Sequence, residues 1–311
     1  MTVLGFDTSN YTTSVAAFNG NDGTNVSRLL DVQPGALGLR QSDALFLHIK
    51  RLPELAEQLF KMVGNTEIDA IGVSTRPRAV EGSYMPCFLA GESQARVLSA
   101  ALQVPLFCVS HQQGHIAAAL WSAGRLELME QPFLSWHLSG GTTELLLVTP
   151  EEGNVHAERI GGTTDISAGQ VIDRTGKLLS LDFPAGKALD ALSSEGSGKE
   201  RFKVRLDGLT FSLSGLENKV AQYHAAHQIP AETAAYALRS LCSIVVRASE
   251  EALRRYPGLP ILFSGGVASN RMLRARAASL KPVFAAPQFS TDNAMGAAVI
   301  AYRLKEKTWN E

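Results

Sequence analysis

The sequence has few cysteines. Only Cys87, Cys108 and Cys242 occur among its 311 residues, and no two of them have the Cys-x-x-Cys spacing. Disulfide-rich small domains and cysteine-ligated zinc sites both need clustered cysteines. This distribution therefore argues against a disulfide framework and against a zinc–cysteine site.

The sequence also lacks long apolar runs and a strong charge of either sign. No stretch is apolar for long enough to cross a bilayer, and the first residues show no basic region followed by an apolar segment. We therefore expect no membrane association and a cytoplasmic location. The formal net charge is -1 and charged residues make up 19% of the chain, which neither requires nor excludes a nucleic-acid partner.

Apolar segments predict an order of strands and helices that occurs twice. Strands are predicted near residues 3–6, 14–18 and 28–32, and a helix follows from about residue 42 to residue 63. A strand, a helix, a strand and a further helix complete the first half. The second half repeats this order from about residue 129. Each half is therefore predicted to be β-β-β-α-β-α-β-α.

This order is typical of ribonuclease-H-like units. We predict an α/β protein of two duplicated ribonuclease-H-like lobes of the actin/Hsp70/sugar-kinase (ASKHA) type, residues 1–128 and residues 129–311. The segment 187–229 has no counterpart in the first half, and we interpret it as an insertion in the second lobe. In folds of this type we expect the ligand in a cleft near the strand ends.

Three turns have the chemistry of phosphate-binding loops. They cover residues 7–13, 138–143 and 263–270, and the last two contain Ser-Gly-Gly. Glycine lets the backbone approach a ligand closely, and free N–H groups in a turn or at a helix start attract phosphate. A single Gly-Gly turn is usually hairpin chemistry. Two Ser-Gly-Gly turns at strand ends, with the loop 7–13 at the place in the first half that matches 138–143, favour nucleotide binding, with Gly265 and Gly266 among the candidate contacts.

Two histidines in the first half suggest a metal site. His111 and His115 lie four residues apart, after Ser110 and Gln113, which are typical of a helix capping box. Residues at this spacing share one helix face and can ligate one ion, and symmetry would bring Asp292 to them from the second half. Iron and zinc both suit these ligands. The same residues also fit a structural interpretation, in which the histidines fill space and Asp292 caps its helix.

Several of these motifs resemble the TsaD family, which has also been called Gcp or O-sialoglycoprotease. The resemblance runs in the family's order over nearly the whole chain, at residues 5–9, 82–91, 111–115, 138–143, 173–190, 211–216, 265–271 and 291–294. It implies an acyltransferase with an ASKHA fold. Members transfer a threonylcarbamoyl group from threonylcarbamoyl-AMP to the exocyclic amine of an adenosine beside the tRNA anticodon.

The resemblance also implies particular site residues, cofactors and partners. A divalent metal, iron or zinc, would be held by His111, His115 and Asp292, and the loop with Asp7 and Ser9 would lie near the reacting groups. An adenine nucleotide, threonylcarbamoyl-AMP or ATP, would be contacted by Leu138, Ser139, Gly140, Gly141, Thr142, Asp173, Gly186, Asp190 and Asn270. The implied partners are tRNA, a first-lobe paralogue of TsaB type and a small ATPase of TsaE type.

The sequence departs from the usual family pattern at several positions. Residues 10–13 read Asn-Tyr-Thr-Thr where the family usually has Cys-Asp-Glu-Thr. Gln113 and Gln170 stand at usually acidic positions, and Thr142 replaces a usual histidine. Fewer acids weaken a general-base role. Two further hypotheses therefore stay open: a nucleotide-binding paralogue with weak or no activity that acts as a scaffold, and a small-molecule carbamoyltransferase or kinase of the same fold.

Two basic stretches are candidates for contact with tRNA. The first lies in the insertion and consists of Lys199, Arg201, Lys203 and Arg205. The second follows the turn 263–270 and consists of Arg271, Arg274 and Arg276. Charge runs are also typical of solvated surfaces. Contact with phosphate predicts a tRNA affinity that falls steeply with salt concentration.

Overall fold

A computed structural model describes residues 1–9, 11–31 and 39–310 of the chain. By their contacts the residues form two compact units. The first unit comprises Met1–Gln131, Thr149–Ala157 and Gln288–Glu311. The second unit comprises Pro132–Val148 and Glu158–Pro287.

The first half of the chain forms a sheet of five strands. Its strands are β1 (Val3–Asp7), β2 (Thr12–Phe18), β3 (Gly23–Leu29), β4 (Ala70–Arg76) and β5 (Leu106–Ser110). Its helices are α1 (Gln41–Val63), α2 (Phe88–Leu102) and α3 (His111–Ser122). The strand order is β3-β2-β1-β4-β5. Strand β2 runs antiparallel to both β1 and β3, whereas β1, β4 and β5 run parallel to one another.

The second half builds a sheet of seven strands with the same central order. Its strands are β6 (Phe133–Leu138), β7 (Thr143–Glu151), β8 (Asn154–Thr163), β9 (Leu206–Asp207), β10 (Thr210–Phe211), β11 (Ile261–Ser264) and β12 (Val283–Phe284). Its helices are α4 (Ala168–Leu178), α5 (Gly186–Ser193), α6 (Ser214–His227), α7 (Pro230–Arg255), α8 (Arg271–Ala277) and α9 (Met295–Asn310). The order is β12-β11-β6-β7-β8-β10-β9.

The two sheets confirm the predicted fold class. The strands β8-β7-β6-β11-β12 repeat the order β3-β2-β1-β4-β5, as a duplicated α/β unit requires. The segment 187–229 contains most of α5 together with β9, β10 and α6, and its two short strands extend the second sheet beyond β8. Among the described residues, no helix is both long and apolar enough to cross a membrane.

The third strand begins earlier than the sequence predicted. We expected it near residues 28–32, but β3 starts at Gly23, and the end of the expected strand at Val32 lies outside the described residues. The Asn19 side chain accepts hydrogen bonds from the backbone N–H groups of Asn21 and Asp22, which closes a short turn directly after β2. Because β3 is an edge strand in which only Val26 is buried, its sequence has little apolar alternation from which to predict it.

Glycines bring the last helix onto the first sheet. A Cβ atom on Gly5 of β1 would lie 2.5 Å from the carbonyl oxygen of Ala294, and one on Gly72 of β4 would lie 2.2 Å from that of Ala297. Real Cβ atoms do not approach this closely, so only glycine permits the contact. The close approach explains why α9 belongs to the first unit although it ends the chain.

Candidate functional site

A capped helix start presents the two histidines. The β5 strand ends at Ser110, whose hydroxyl accepts from the backbone N–H of Gln113 at 3.2 Å, while the Gln113 side chain accepts from the Ser110 N–H at 2.9 Å. This pair is the capping box that the sequence predicted. One turn of α3 then separates His111 from His115, and their ring centroids lie 4.2 Å apart. The cap thus fixes where the histidine pair begins.

A glycine–glycine contact sets the approach of Asp292. Gly114 lies between the two histidines on α3, and Gly296 lies at the start of α9. A Cβ atom on Gly296 would lie 1.8 Å from the Gly114 carbonyl oxygen, so the two helices touch through their backbones. Since Asp292 precedes α9 by three residues, this contact carries its carboxylate to the histidine face.

Three side-chain atoms converge as a potential ligand set. The Nε2 atoms of His111 and His115 are 2.9 Å apart, and Oδ1 of Asp292 lies 3.5 Å from the first and 3.2 Å from the second. All three ligand atoms lie within 4.8 Å of one another. Ligands at about 2.1 Å from an ion are spaced about 3 Å apart. The donor set of two imidazoles and a carboxylate therefore fits a divalent ion such as iron or zinc.

Further contacts orient two of these ligands. Nδ1 of His111 lies 2.8 Å from Oδ2 of the buried Asp7, which leaves Nε2 for the shared point. The Thr12 hydroxyl donates to Oδ2 of Asp292 at 3.1 Å. The Ser9 backbone N–H donates to Asp7, and its buried Oγ has no hydrogen-bond partner within the described residues. Asp7 and Thr12 thus hold His111 and Asp292 in their orientations.

The charges in this cluster stabilise one another. Burial lowers the pKa of His111, but the carboxylates of Asp7 and Asp292 outweigh it and raise that pKa to about 10. Burial raises the pKa of Asp292, yet its bonds to His111 and His115 hold it well below the ordinary value. A proton on His111 would therefore persist at neutral pH and must leave when an ion binds at Nε2.

The second unit contains a cavity of about 500 Å³. A volume of this size suits a mononucleotide. It is lined by Gly140, Gly169, Ile172, Asp173, Phe183, Pro184, Gly186, Lys187, Asp190, Gly266, Val267, Ser269 and Asn270. The sequence analysis named Gly140, Asp173, Gly186, Asp190, Gly266 and Asn270 among these. The cavity therefore brings together residues from both Ser-Gly-Gly turns.

The remaining predicted contacts lie beside the cavity rather than in its lining. Leu138 is buried in β6, and Gly265 adopts φ +90°, where a Cβ atom would lie 2.2 Å from the Leu138 carbonyl oxygen. Ser139 accepts from the Thr142 N–H at 3.0 Å and closes the turn that includes Gly141. These residues shape the turns that the lining glycines belong to.

The polar groups of the cavity differ in how fully they are bonded. Oδ1 of Asp173 accepts from the Ala185 N–H at 2.9 Å, and within the described residues its other oxygen accepts no hydrogen bond. Asp190 accepts from the Asn270 side chain and from the Arg271 guanidinium, both at 2.9 Å. Oδ1 of Asn270 accepts from the Leu273 N–H and so caps α8. Asp173 is thus freer than Asp190 to accept from a ligand.

Sequence reasoning missed several residues of both sites. Phe183 and Lys187 line the cavity, and Lys187 forms no ion pair within the described residues. Gly169 was also missed, although a Cβ atom there would lie 2.5 Å from the Gly140 Cα. The sequence analysis considered Thr12 only as a position where the family's usual acid is absent, yet its hydroxyl donates a hydrogen bond to Asp292. The one available signal was the position of Lys187 directly after the predicted contact Gly186.

Two of the departures from the family pattern lie in helix caps. Gln113 caps α3 with Ser110, and its amide also donates to the Val155 carbonyl at 2.7 Å. Gln170 caps α4 with Ser167 in the same arrangement. Glutamate and glutamine both serve at this position of a capping box. These two changes therefore keep the local structure.

The chain is similar to proteins of known family. Residues 38–299 match the family model of TsaD, described as tRNA N6-adenosine threonylcarbamoyltransferase. The tRNA N6-adenosine threonylcarbamoyltransferase of Streptococcus pneumoniae is 29% identical over 331 aligned positions, which cover 99% of this chain and 93% of that protein.

Solved structures of other proteins share the fold. Full-length HypF in its phosphate- and nucleotide-bound form has a TM-score of 0.62 at 13% identity, covering 100% of this chain and 47% of that one. The ROK hexokinase of Thermus thermophilus has a TM-score of 0.55 at 15% identity, covering 99% and 100%. At these identities the likeness shows the ASKHA-type fold alone.

Proposed function

Because the chain belongs to the TsaD family, which acts in tRNA threonylcarbamoyladenosine biosynthesis, we propose that it transfers a threonylcarbamoyl group from threonylcarbamoyl-AMP to the exocyclic amine of an anticodon-loop adenosine. The observation that carries this proposal is the convergence of His111, His115 and Asp292 within 4.8 Å. A scaffold without chemistry could keep its fold without this donor set, so the three ligands favour an enzyme.

The chain's own residues hold and orient the metal centre. His111, His115 and Asp292 would bind one divalent ion, iron or zinc, and Asp7 keeps the Nδ1 proton of His111 so that Nε2 faces the ion. When bound, such an ion supplies a Lewis acid and a template for the carbonyl or carboxylate of the donor. Thr12 holds the second oxygen of Asp292 in place.

The cavity of the second unit would hold the adenylate. The turns with Gly140 and Gly266 let backbone N–H groups approach the phosphate. The space beside both glycines is open, because a Cβ atom at either position would meet no protein atom within 4 Å. Asp173 has an oxygen to offer a ribose hydroxyl. Leu138, Ser139, Gly141, Thr142, Gly186, Asp190, Gly265 and Asn270 complete the proposed nucleotide site by shaping or lining it.

The reaction needs little covalent chemistry from the protein. The exocyclic nitrogen of adenosine forms a bond to the carbamoyl carbon, the bond from that carbon to the phosphate oxygen breaks, AMP leaves, and the amine loses a proton. Holding two large substrates in reacting geometry supplies much of the rate enhancement in such transfers. Gln113 and Gln170 fill capping positions, so these two changes leave the helix starts that carry the site intact.

The family membership also suggests how the protein works in the cell. We propose tRNA as the acceptor, and a first-lobe paralogue of TsaB type and a small ATPase of TsaE type as partners. These assignments rest on the family and not on contacts of this chain. They define the components of the test.

The test is mass spectrometry of nucleosides from unmodified tRNA. The tRNA is incubated with the full chain, threonylcarbamoyl-AMP and the proposed partners, with the Streptococcus pneumoniae relative as a parallel positive reaction. We expect threonylcarbamoyladenosine from both proteins, and its loss in His111→Ala of this chain. No product from this chain beside an active relative would reject the transferase function and favour a scaffold or a different acceptor.

A further inference from the structure

We propose that residues 199–205, the basic strip, bind the phosphate backbone of RNA. The inference rests on the proposed function, in which tRNA is the acceptor, and adds the surface by which the chain holds it. The strip lies in the second unit between α5 and β9, and it has no regular secondary structure.

From Arg201 to Arg205 the side chains of the strip alternate between solvent and core, and Glu200 is an exposed acid between the first two cations. Lys199, Arg201, Lys203 and Arg205 are all exposed, whereas Phe202 is half-buried and Val204 is only 3% exposed. Every second residue is thus a cation that points away from the core. A solvated charge run would not need apolar residues between its charges, so the alternation indicates a built surface.

The four cations are not used within the protein. None of them forms a hydrogen bond or an ion pair through its side chain within the described residues. The second basic stretch is mostly used within the protein, since Arg271 pairs with Asp190 at 2.9 Å and Arg274 donates to backbone carbonyls and stacks 4.5 Å from the Phe284 ring centroid. Of its three cations, only Arg276 forms no such bond within the described residues. The structure therefore singles out the strip, of the two stretches, as the one free to bind phosphate.

Polar groups of α7 fix the backbone of the strip. Arg239 donates to the carbonyls of Gly196 and Glu200 at 3.3 Å and 3.4 Å, and Arg247 donates to that of Val204 at 2.8 Å. The hydroxyl of Ser240 accepts from the Phe202 N–H at 2.8 Å. Irregular backbone held by three such bonds within the strip, and by a fourth at Gly196 just before it, loses little freedom on binding.

A row of fixed cations matches a nucleic-acid strand better than the other polyanions. Seven residues of chain span at most about 21 Å, so one strand can reach all four cations. A membrane-binding segment would expose apolar side chains beside its cations, but Phe202 and Val204 face inward. Phosphate contacts of this kind position RNA without reading its sequence.

The test compares two variants that lose the same charge. Lys199, Arg201, Lys203 and Arg205 are changed together to Gln in one, and the exposed Lys50, Lys61, Lys281 and Lys307 in the other. Binding of unmodified tRNA to the full chain is measured over a series of salt concentrations. We expect the strip variant to bind at least about tenfold more weakly at low salt, with a log–log salt slope shallower by about 3. The control variant should keep most of the slope.

Other readouts separate this surface from the proposed chemistry. Metal content and affinity for AMP should be unchanged in the strip variant. Equal losses in the two variants, or an unchanged slope in the strip variant, would overturn the proposal, as would failure of the unaltered chain to bind tRNA. Strip-dependent binding of phosphatidylserine vesicles with unaffected tRNA binding would also overturn it. Steep, strip-dependent tRNA binding without threonylcarbamoyladenosine would support the surface while rejecting the proposed function.

Discussion

The two candidate sites are built from different parts of the chain's chemistry. In the first unit, side chains make the candidate metal centre, and each residue of the series Asp7–His111–His115–Asp292 contacts another charged or polar group. In the second unit, the cavity is lined by glycines, among them Gly140 and Gly266 of two turns, and by apolar and polar side chains, and its polar groups are only partly bonded. A closed network of side chains holds one site, whereas the other leaves polar groups open to a ligand.

The difference predicts how each site responds to substitution. Glycines at the metal centre control the distance between two helices, so a single methyl group there should move ligands. Gly140 and Gly266 in the cavity face open space, so the same methyl group there should meet nothing. The metal centre should therefore be sensitive to packing, and the cavity to the charge and hydrogen bonding of what enters it.

Gly296→Ala should have the largest effect. Its Cβ atom would lie 1.8 Å from the Gly114 carbonyl oxygen, and a backbone atom of α3 cannot move aside cheaply. We expect the free energy of unfolding to fall by about 3 kcal/mol or more. Metal content should fall with it, because Asp292 would be carried away from the histidines. Chemical denaturation and metal analysis of the purified protein measure both.

A matched glycine provides the control for this change. Gly215 is the second residue of α6, as Gly296 is of α9, and a Cβ atom there meets nothing within 4 Å. Gly215→Ala should leave stability unchanged or raise it by up to about 1 kcal/mol, since alanine favours the helix. If both variants behaved alike, the helix contact would not set the metal centre.

Asp7→Asn should affect only the metal centre. The carboxylate holds Nδ1 of His111 at 2.8 Å, and replacing such a partner typically weakens metal affinity by about 10- to 100-fold. Affinity for AMP should not change, because Asp7 belongs to the other unit than the cavity. Asp173→Asn should show the reverse pattern. A parallel loss of both affinities in either variant would contradict the separation of the two sites.

The sequence carried the local parts of this arrangement but not the contacts that join them. The repeated strand order, the His111–His115 spacing and the Ser110–Gln113 cap are short-range patterns, and the structure has all of them. The Asp7–His111 contact joins residues 104 positions apart, and no periodicity encodes it. The glycine contacts could not be predicted from the sequence either, because a glycine is written the same way whether it lies against backbone or faces solvent.

Lys187→Gln should have the smallest effect and tests the cavity. The lysine lines the cavity and has no ion pair within the described residues, so a ligand phosphate would be its partner. We expect affinity for AMP to fall by about three- to tenfold, while affinity for adenosine, which has no phosphate, stays the same. Titration calorimetry with the two ligands measures the difference. Lys187→Arg should restore most of the AMP affinity.

A matched lysine outside this cavity provides the control for the last test. Lys177 lies on α4 and lines a neighbouring cavity instead, so Lys177→Gln makes the same change in net charge without removing a cation from the nucleotide cavity. It should leave both affinities unchanged. If Lys187→Gln weakened adenosine and AMP equally, the lysine would act by packing against the nucleoside. The phosphate would then rest on the turns of Gly140 and Gly266 alone, and backbone would form the whole anion site of the second unit.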